Sequence, residues 1–87
     1  MYSLRILDTA TRELADLDRQ VAIRIAKRLQ WLAENIEEIR PLPLSGDLSS
    51  FYKFRVGDYR VIYEILSAEQ TLVIHAIGHR REIYRPR

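Results

Sequence analysis

Three basic side chains in the second half of the sequence could act together on a phosphate group. Lys53, Arg55 and Arg60 lie within 51–66, FYKFRVGDYRVIYEIL, where apolar and polar residues alternate as they do in β-strands. This alternation places Lys53 and Arg55 on one face of the first strand, and a hairpin closed by the Gly-Asp pair at 57–58 brings Arg60 to the same side. Positive charge fixed on a rigid sheet can stabilise negative charge that develops on a phosphate. The simpler alternative is a sheet face whose charged side chains only contact water.

A second group of polar side chains follows the last predicted strand. The segment 78–85, GHRREIYR, contains His79, Arg80, Arg81 and Tyr84. Guanidinium groups for phosphates, a titratable imidazole and a ring that stacks on bases suit RNA better than duplex DNA. We therefore predict that the tail and the strand cluster form one RNA-binding surface, the alternative being a solvated chain end.

The sequence offers no metal or cofactor site. It contains 2 His and 0 Cys, and neither histidine has a carboxylate at ligand spacing. A glycine-rich phosphate loop and an acidic pair suited to magnesium are also missing from the sequence. We predict that any phosphodiester chemistry runs without metal or cofactor, and we interpret His75, inside an apolar strand, as structural.

The candidate residues belong to a predicted α+β domain. An apolar stripe with helical spacing runs from Val21 to Ile36 and, with Trp31, is interpreted as core. Pro41 and Pro43 prevent this helix from continuing. The predicted elements are a strand over 2–7, a helix capped by Asp8 or Thr9 and broken near 16–18, the helix carrying the stripe, a loop over 41–50, and strands over 51–56, 59–66 and 71–77. This β-α-α-β-β-β order predicts a two-helix hairpin packed on one face of a small antiparallel sheet.

Length and composition exclude several classes of protein. A chain of 87 residues forms a single domain, 1–87, and 47% hydrophobic with 30% charged residues is too apolar for disorder and too charged for membrane spans. The absence of cysteine gives no reason to expect an oxidising compartment, and the N-terminal residues lack the apolar run of a signal peptide. We expect a cytoplasmic protein with no membrane partner.

Positive charge is concentrated in the part of the sequence that contains the candidate residues. The net charge is only +2, which excludes a strongly basic DNA-coating protein. Residues 1–50 contain 7 basic and 8 acidic side chains, whereas residues 51–87 contain 7 basic and 4 acidic ones. Of the 14 basic residues 12 are arginines, which bind phosphate through a planar fork of N–H donors.

The motifs YKFRVGDYRVIYEI at 52–65 and IGHRREIY at 77–84 resemble the RelE/ParE superfamily of bacterial and archaeal toxins, especially its RelE branch of messenger-RNA interferases. The resemblance implies a microbial-ribonuclease-like fold and the toxin of a type II toxin–antitoxin system. Toxins of this branch inhibit translation by cutting messenger RNA in the ribosomal A site without a metal. The ribose 2′-hydroxyl attacks the adjacent phosphate, leaving a 2′,3′-cyclic phosphate and a free 5′-hydroxyl.

The resemblance also implies roles for individual residues. Lys53 and Arg55 match the two basic positions of the first hairpin strand, and Arg60 matches the phosphate-binding arginine of the second. Arg80 matches the arginine that follows the glycine, and Tyr84 matches the C-terminal tyrosine that stacks on or orients the substrate.

One matched position departs from the best-known RelE pattern. Its second basic residue is a lysine, whereas this sequence has Arg55. Arginine stays protonated and is a poor general base, so Arg55 is expected to be an electrostatic clamp. Lys53 or His79 then has to act as base or acid.

The resemblance implies three partners and leaves two alternatives open. The partners are a cognate antitoxin, in a neutralising and higher-order hetero-oligomer, together with the ribosome and messenger RNA. Leu42, Leu44 and Leu48 are candidates for the antitoxin groove, or they close the core. One alternative function is a ParE-like inhibitor of DNA gyrase that cleaves no RNA. The other is a catalytically silent module that binds RNA or the antitoxin, which Arg55 makes conceivable.

Overall fold

Two helices pack against one face of a mixed β-sheet. The computed structural model describes residues 1–44, 46 and 50–82. These residues form strands β1 (Ser3–Ile6), β2 (Leu42–Pro43), β3 (Tyr52–Val56), β4 (Tyr59–Leu66) and β5 (Thr71–His79), and helices α1 (Asp8–Ala15) and α2 (Arg19–Asn35). Within them the strands follow the order β1-β5-β4-β3-β2 across one sheet. The predicted α+β class with a helical hairpin on one face of the sheet is confirmed.

The predicted apolar stripe of α2 forms most of the helical side of the core. Ile25, Leu29 and Leu32 are almost completely buried, and Ile36 follows just after the helix. Asp18 begins the helix because its side chain accepts a hydrogen bond from the N–H of Gln20 at 3.1 Å.

Two details of the helices differ from the sequence prediction. The N-cap of α1 is Leu7, so Asp8 is the first helical residue. At that position the positive end of the helix dipole stabilises the negative charge of the Asp8 carboxylate. Trp31 is 39% exposed instead of lying in the core. Its ring stacks on Phe54 of β3 at 6.2 Å between centroids, and the Arg28 guanidinium lies 4.5 Å from the Trp31 centroid.

The sheet is not entirely antiparallel, contrary to the prediction. β1 pairs with β5 in parallel, from Ser3↔Thr71 to Ile6↔Ile74. Parallel pairing needs a long crossover, and the whole chain between the two strands provides one. The other pairs of strands are antiparallel.

The interval 41–50, predicted as a loop, contains the short edge strand β2. Leu42 pairs with Lys53 and Pro43 with Tyr52. The N–H of Leu44 then donates to the carbonyl of Phe51 at 2.9 Å. Proline is tolerated here because β2 is at the edge of the sheet and its outer side needs no donor. Leu48 lies outside the described residues.

The β3–β4 hairpin closes where the sequence predicts it. Gly57 has φ +59°, at the first central position of the turn, where type II′ hairpins place glycine. Arg55↔Arg60 and Val56↔Tyr59 are the pairs next to the turn.

A β-bulge interrupts the pairing of β4 with β5. Ile62 pairs with Ala76 and Tyr63 with Ile74, which leaves His75 as an extra residue on β5. Because of the bulge, Ile74 and Ile77 both face the core, although they are three residues apart. β5 also continues two residues beyond its predicted end, to His79.

No helix within residues 1–44, 46 and 50–82 is long and apolar enough to cross a membrane.

Candidate functional site

The sheet face opposite the helices, here called the open face, brings together the basic residues of the hairpin. Phe54 and Val56 of β3 pack with the helices, so Lys53 and Arg55 lie on the open face. In the ladder with β4, Arg55 pairs with Arg60 and Lys53 pairs with Ile62. These partners share the same face, so the structure places Lys53, Arg55 and Arg60 together.

The Arg60 side chain is held over the hairpin turn by two backbone carbonyl groups that precede it in the chain. Its Nη1 donates to the carbonyl oxygens of Gly57 and Tyr59, both at 3.0 Å. These bonds use one nitrogen of the guanidinium group, which has five N–H donors in all. Arg60 is therefore fixed in place while donors remain for an anion.

Arg80 lies at the same end of the open face, one residue beyond β5. Its N–H donates to the carbonyl of Asp58 at 2.9 Å, which extends the β4–β5 ladder past the pair Tyr59↔His79. Its side-chain Nε is 4.0 Å from Asp58 Oδ1, and both side chains are more than half exposed. An ion pair this long and exposed contributes little to stability and leaves Arg80 available to a substrate.

Arg81 lies in the turn that follows β5. The chain turns after β5, with the N–H of Glu82 donating to the carbonyl of His79 at 2.9 Å. Arg81 is exposed within that turn, and its N–H donates to His79 Nδ1 at 3.2 Å. Tyr84 lies outside the described residues.

His79 faces the helices instead of the open face. It pairs with Tyr59, and the two rings meet edge to face at 5.6 Å. Together they line a cleft of about 420 Å³ that also contains Glu13, Asp16 and Leu17 from the helical layer. The sheet therefore separates the His79 imidazole from Arg55 and Arg60.

His75 occupies the open face, farther from the hairpin turn. Its Nε2 lies 3.0 Å from Glu64 Oε1, and the ring of Phe51 contacts it edge to face at 4.8 Å. Glu64 and Phe51 were not predicted as site residues from the sequence. Alternation along β3, β4 and β5 could have placed Glu64, Phe51 and His75 on this face, because His75 follows the buried Ile74.

Arg40 is a further cation, not predicted from the sequence, that lines a cleft at the edge of β3. The cleft has a volume of about 210 Å³, and Lys53 and Arg55 line it together with Phe54 and Tyr63 from the helical side. Arg40 comes close to β3 because β2, which begins two residues later, pairs with that strand. A strand of two residues is too short to produce a periodic pattern in the sequence.

The basic residues keep their positive charge unneutralised within the part of the chain that the structure describes. There, no carboxylate forms an ion pair with Lys53, Arg55 or Arg60. No group of three or more His, Asp or Glu side chains among these residues is arranged to hold a metal ion. The open face can therefore bind a phosphate through several donors and stabilise additional charge on its oxygens.

Comparison with known proteins gives the same family at the level of sequence. The family described as the ParE toxin of type II toxin–antitoxin systems, parDE, matches residues 4–84. Toxin RelG of Mycobacterium tuberculosis is 31% identical over 88 residues, which covers 97% of both chains. Toxin RelE of the same organism is also 31% identical, over 97% of this chain and 87% of its own.

Solved structures agree with the fold. The toxin–antitoxin complex RelBE2 of M. tuberculosis contains a chain with a TM-score of 0.81 and 28% identity, covering 91% of this chain and 98% of that one. The isolated Escherichia coli RelE toxin has a TM-score of 0.76 at 22% identity, over 91% and 84% of the two chains. With the family matched over nearly the whole sequence, this chain belongs to the ParE toxin family of type II toxin–antitoxin systems, within the RelE/ParE superfamily.

Proposed function

We propose that this toxin is an endoribonuclease that cleaves messenger RNA in the ribosomal A site and thereby inhibits translation. The observation that carries the proposal is the cationic end of the open face, where Arg55 lies opposite Arg60 and Arg80 follows β5. Among the described residues, Arg55 and Arg60 have no carboxylate partner and Arg80 has only a long, exposed one, so this group suits the extra negative charge of a pentacoordinate phosphate. The similarity to proteins named Toxin RelE and Toxin RelG supports the same assignment.

The proposed reaction is an internal transfer at one phosphate. The ribose 2′-oxygen forms a bond to phosphorus as its proton passes to Lys53, which acts here in its uncharged amine form. The bond from phosphorus to the 5′-oxygen then breaks, and that oxygen takes a proton from water. The hydroxide formed takes the proton from the Lys53 ammonium, which restores the amine. Arg55, Arg60 and Arg80 would bind the phosphate oxygens throughout. No residue in this scheme requires a metal or a cofactor.

Lys53 is preferred to His79 as the proton acceptor because of where each side chain lies. Lys53 shares the open face with Arg55, whereas His79 contacts Tyr59 on the helical side. A general base has to reach the proton directly or through one water molecule. Arg81 is assigned to RNA binding outside the phosphate site, and stacking of a base on Tyr84 stays a prediction.

The proposed partners follow from the neighbours and from the reaction. The similar M. tuberculosis chain was solved in a complex named as a toxin–antitoxin complex, which supports a cognate antitoxin for this chain in a neutralising hetero-oligomer. The ribosome and messenger RNA would be its targets, which places its action in the cytoplasm. We keep Leu42 and Leu44 as candidates for antitoxin contact, since Leu42 is 50% exposed.

The proposal is tested by mapping messenger RNA during expression of the toxin alone and with purified ribosomes. We expect cleavage within codons in the A site, with 2′,3′-cyclic phosphate and 5′-hydroxyl ends. Arg60→Ala and Arg80→Ala should each lower the rate by about 100- to 1000-fold, the usual effect of losing one transition-state donor. Arg12→Ala is the matched control, because Arg12 is an exposed arginine on α1. Equal activity of the Arg60→Ala, Arg80→Ala and Arg12→Ala variants would refute this site.

The second candidate is an inhibitor of DNA gyrase, favoured by the ParE description of the matched family. It predicts DNA damage with intact messenger RNA when the toxin is expressed. A silent binding module predicts neither damage nor loss of translation. The same expression experiment therefore separates the three functions.

A further inference from the structure

Glu13 of α1 makes a hydrogen bond that joins the helical layer to the end of β5. Its Oε1 accepts the backbone N–H of Ile77 at 3.1 Å, and the two residues are 64 positions apart in the sequence. The Glu13 side chain is half-buried beside the sheet. A hydrogen bond to a charged acceptor is among the stronger ones in a protein.

This bond lies where one edge of β5 has lost its neighbouring strand. β1 pairs with β5 only as far as Ile6↔Ile74, and the N–H of Leu7 then donates to the carbonyl of Ile74 at 3.1 Å. β5 nevertheless continues to His79. A backbone N–H at a half-covered sheet edge needs an acceptor, and Glu13 supplies it to Ile77.

The other edge of the same segment is held by β4. Pairing continues to Tyr59↔His79, and the N–H of Arg80 donates to the carbonyl of Asp58 at 2.9 Å. The bulge at His75 interrupts this ladder just before Ile77. After the bulge, the end of β5 is therefore fixed by β4 on one edge and by Glu13 on the other.

We propose that Glu13 is a positioning residue for Arg80. By fixing Ile77, three residues earlier, it sets the position of Arg80 relative to Arg60 at the cationic end of the open face. Its effect on cleavage rests on the function proposed above, whereas its effect on the position of Arg80 does not. A displacement of about 1 Å at a reacting centre can cost about 100-fold in rate.

The test compares wild type with three variants, Glu13→Ala, Glu13→Gln and Asp16→Ala. Asp16→Ala is the control, because Asp16, at the end of α1, is a carboxylate that lines the cleft beside His79 together with Glu13. Amide hydrogen exchange, followed by NMR, reports on the N–H groups of Ile77 and Arg80. Steady-state cleavage of ribosome-bound messenger RNA gives kcat and KM separately.

We expect Glu13→Ala to accelerate exchange at Ile77 by about tenfold or more, and exchange at Arg80 along with it. Its kcat should fall while KM changes little, since the substrate still meets the same charges. Glu13→Gln keeps an oxygen acceptor and should retain most of both properties. Asp16→Ala should behave as wild type.

Two results would overturn the inference, and a third would overturn only the proposed function. Unchanged exchange at Ile77 and Arg80 in Glu13→Ala would show that the bond does not hold the end of β5. Faster exchange with a wild-type kcat would show that holding it does not matter to the reaction. If the wild-type protein cleaves no RNA, the proposed function fails, and exchange at Arg80 still decides whether Glu13 positions this residue.

Discussion

Arg55 and Arg60 lie directly opposite each other in the ladder between β3 and β4, with their side chains on the same face of the sheet. Like charges at opposed positions on neighbouring strands repel each other and destabilise the pair. Neither has a carboxylate partner among the described residues. Repulsion between Arg55 and Arg60 therefore makes the hairpin less stable than it would be with an uncharged residue at one of these positions. The same two arginines form the centre of the candidate phosphate site.

Arg55→Thr should stabilise the free protein while lowering its activity. Removing one of two opposed cations relieves repulsion, and threonine suits a strand, so the free energy of unfolding should rise by about 0.2 to 1 kcal/mol. Denaturant unfolding at low salt measures the gain, which should shrink at high salt because salt screens exposed charges. Lys53→Thr is the control, because Lys53 lies opposite Ile62. A gain of the same size in Lys53→Thr would show that repulsion between the arginines is not the cause.

Replacing His79 should leave the chemistry unchanged, whereas replacing Lys53 should abolish it. His79 contacts Tyr59 on the helical side of the sheet, and Lys53 lies on the open face. We therefore expect His79→Gln to keep the wild-type pH profile of kcat/KM for cleavage and Lys53→Met to lose nearly all activity. A shifted profile in His79→Gln would return the imidazole to the mechanism and require the end of β5 to rearrange on the ribosome.

The sheet faces on which His79 and Arg80 lie could not be predicted from the sequence, because β5 contains a bulge. Without it, counting from buried Ile74 by twos would place Arg80 toward the helices and His79 on the open face. The extra residue, His75, reverses this parity, since a shift of one residue exchanges the two faces of a strand. The apolar run from Val73 to Ile77 contains no glycine or proline to announce the bulge.

Local periodicity predicted the features that depend on neighbouring residues. The apolar stripe of α2 and the alternation of β3 and β4 correctly gave the buried helix face and the shared face of Lys53, Arg55 and Arg60. The parallel pairing of β1 with β5 joins residues that are far apart in the sequence, such as Leu4 and Leu72. No local pattern specifies whether such distant strands pair in parallel or antiparallel. The contact of Glu13 with Ile77 is hidden for the same reason.

Tyr63 should make the protein lose stability at high pH. Its side chain is almost fully buried, and burial, with a smaller contribution from Tyr52, raises the pKa of Tyr63 from 10.0 to about 12. Between these values the unfolded chain releases the phenolic proton and the folded one keeps it, so stability falls as pH rises from about 10 to 12. The loss attributable to this group is about 2 to 3 kcal/mol.

Tyr63→Phe isolates this effect from the titration of the other tyrosines and the lysines. The difference in the free energy of unfolding between variant and wild type should be constant below about pH 10 and should move in favour of the variant above it. Denaturant unfolding at several pH values provides the measurement. If the free energies of unfolding of the two proteins differed by the same amount at every pH up to 12, the Tyr63 phenol would ionise as easily in the folded chain as in the unfolded one.

Gly57→Ala should weaken the hairpin that holds Arg60. Gly57 has φ +59°, and a Cβ there would meet only the Arg24 guanidinium, at 3.9 Å and 4.0 Å, so the cost is backbone strain and not a steric clash. We expect a loss of about 1 to 2 kcal/mol in the free energy of unfolding. Activity should fall further than stability alone explains, because the Gly57 carbonyl accepts one of the bonds from Arg60 Nη1.

Asp58→Ala is the matched control for this change in the turn. Asp58 has no positive φ, and its contact with Arg80 is long and exposed, so the variant should unfold within about 0.5 kcal/mol of wild type. Thermal or denaturant unfolding of both variants, together with their cleavage rates, separates turn strain from the loss of a side chain. Equal destabilisation by Gly57→Ala and Asp58→Ala would mean that the left-handed conformation at Gly57 is not what shapes the hairpin and fixes Arg60 over it.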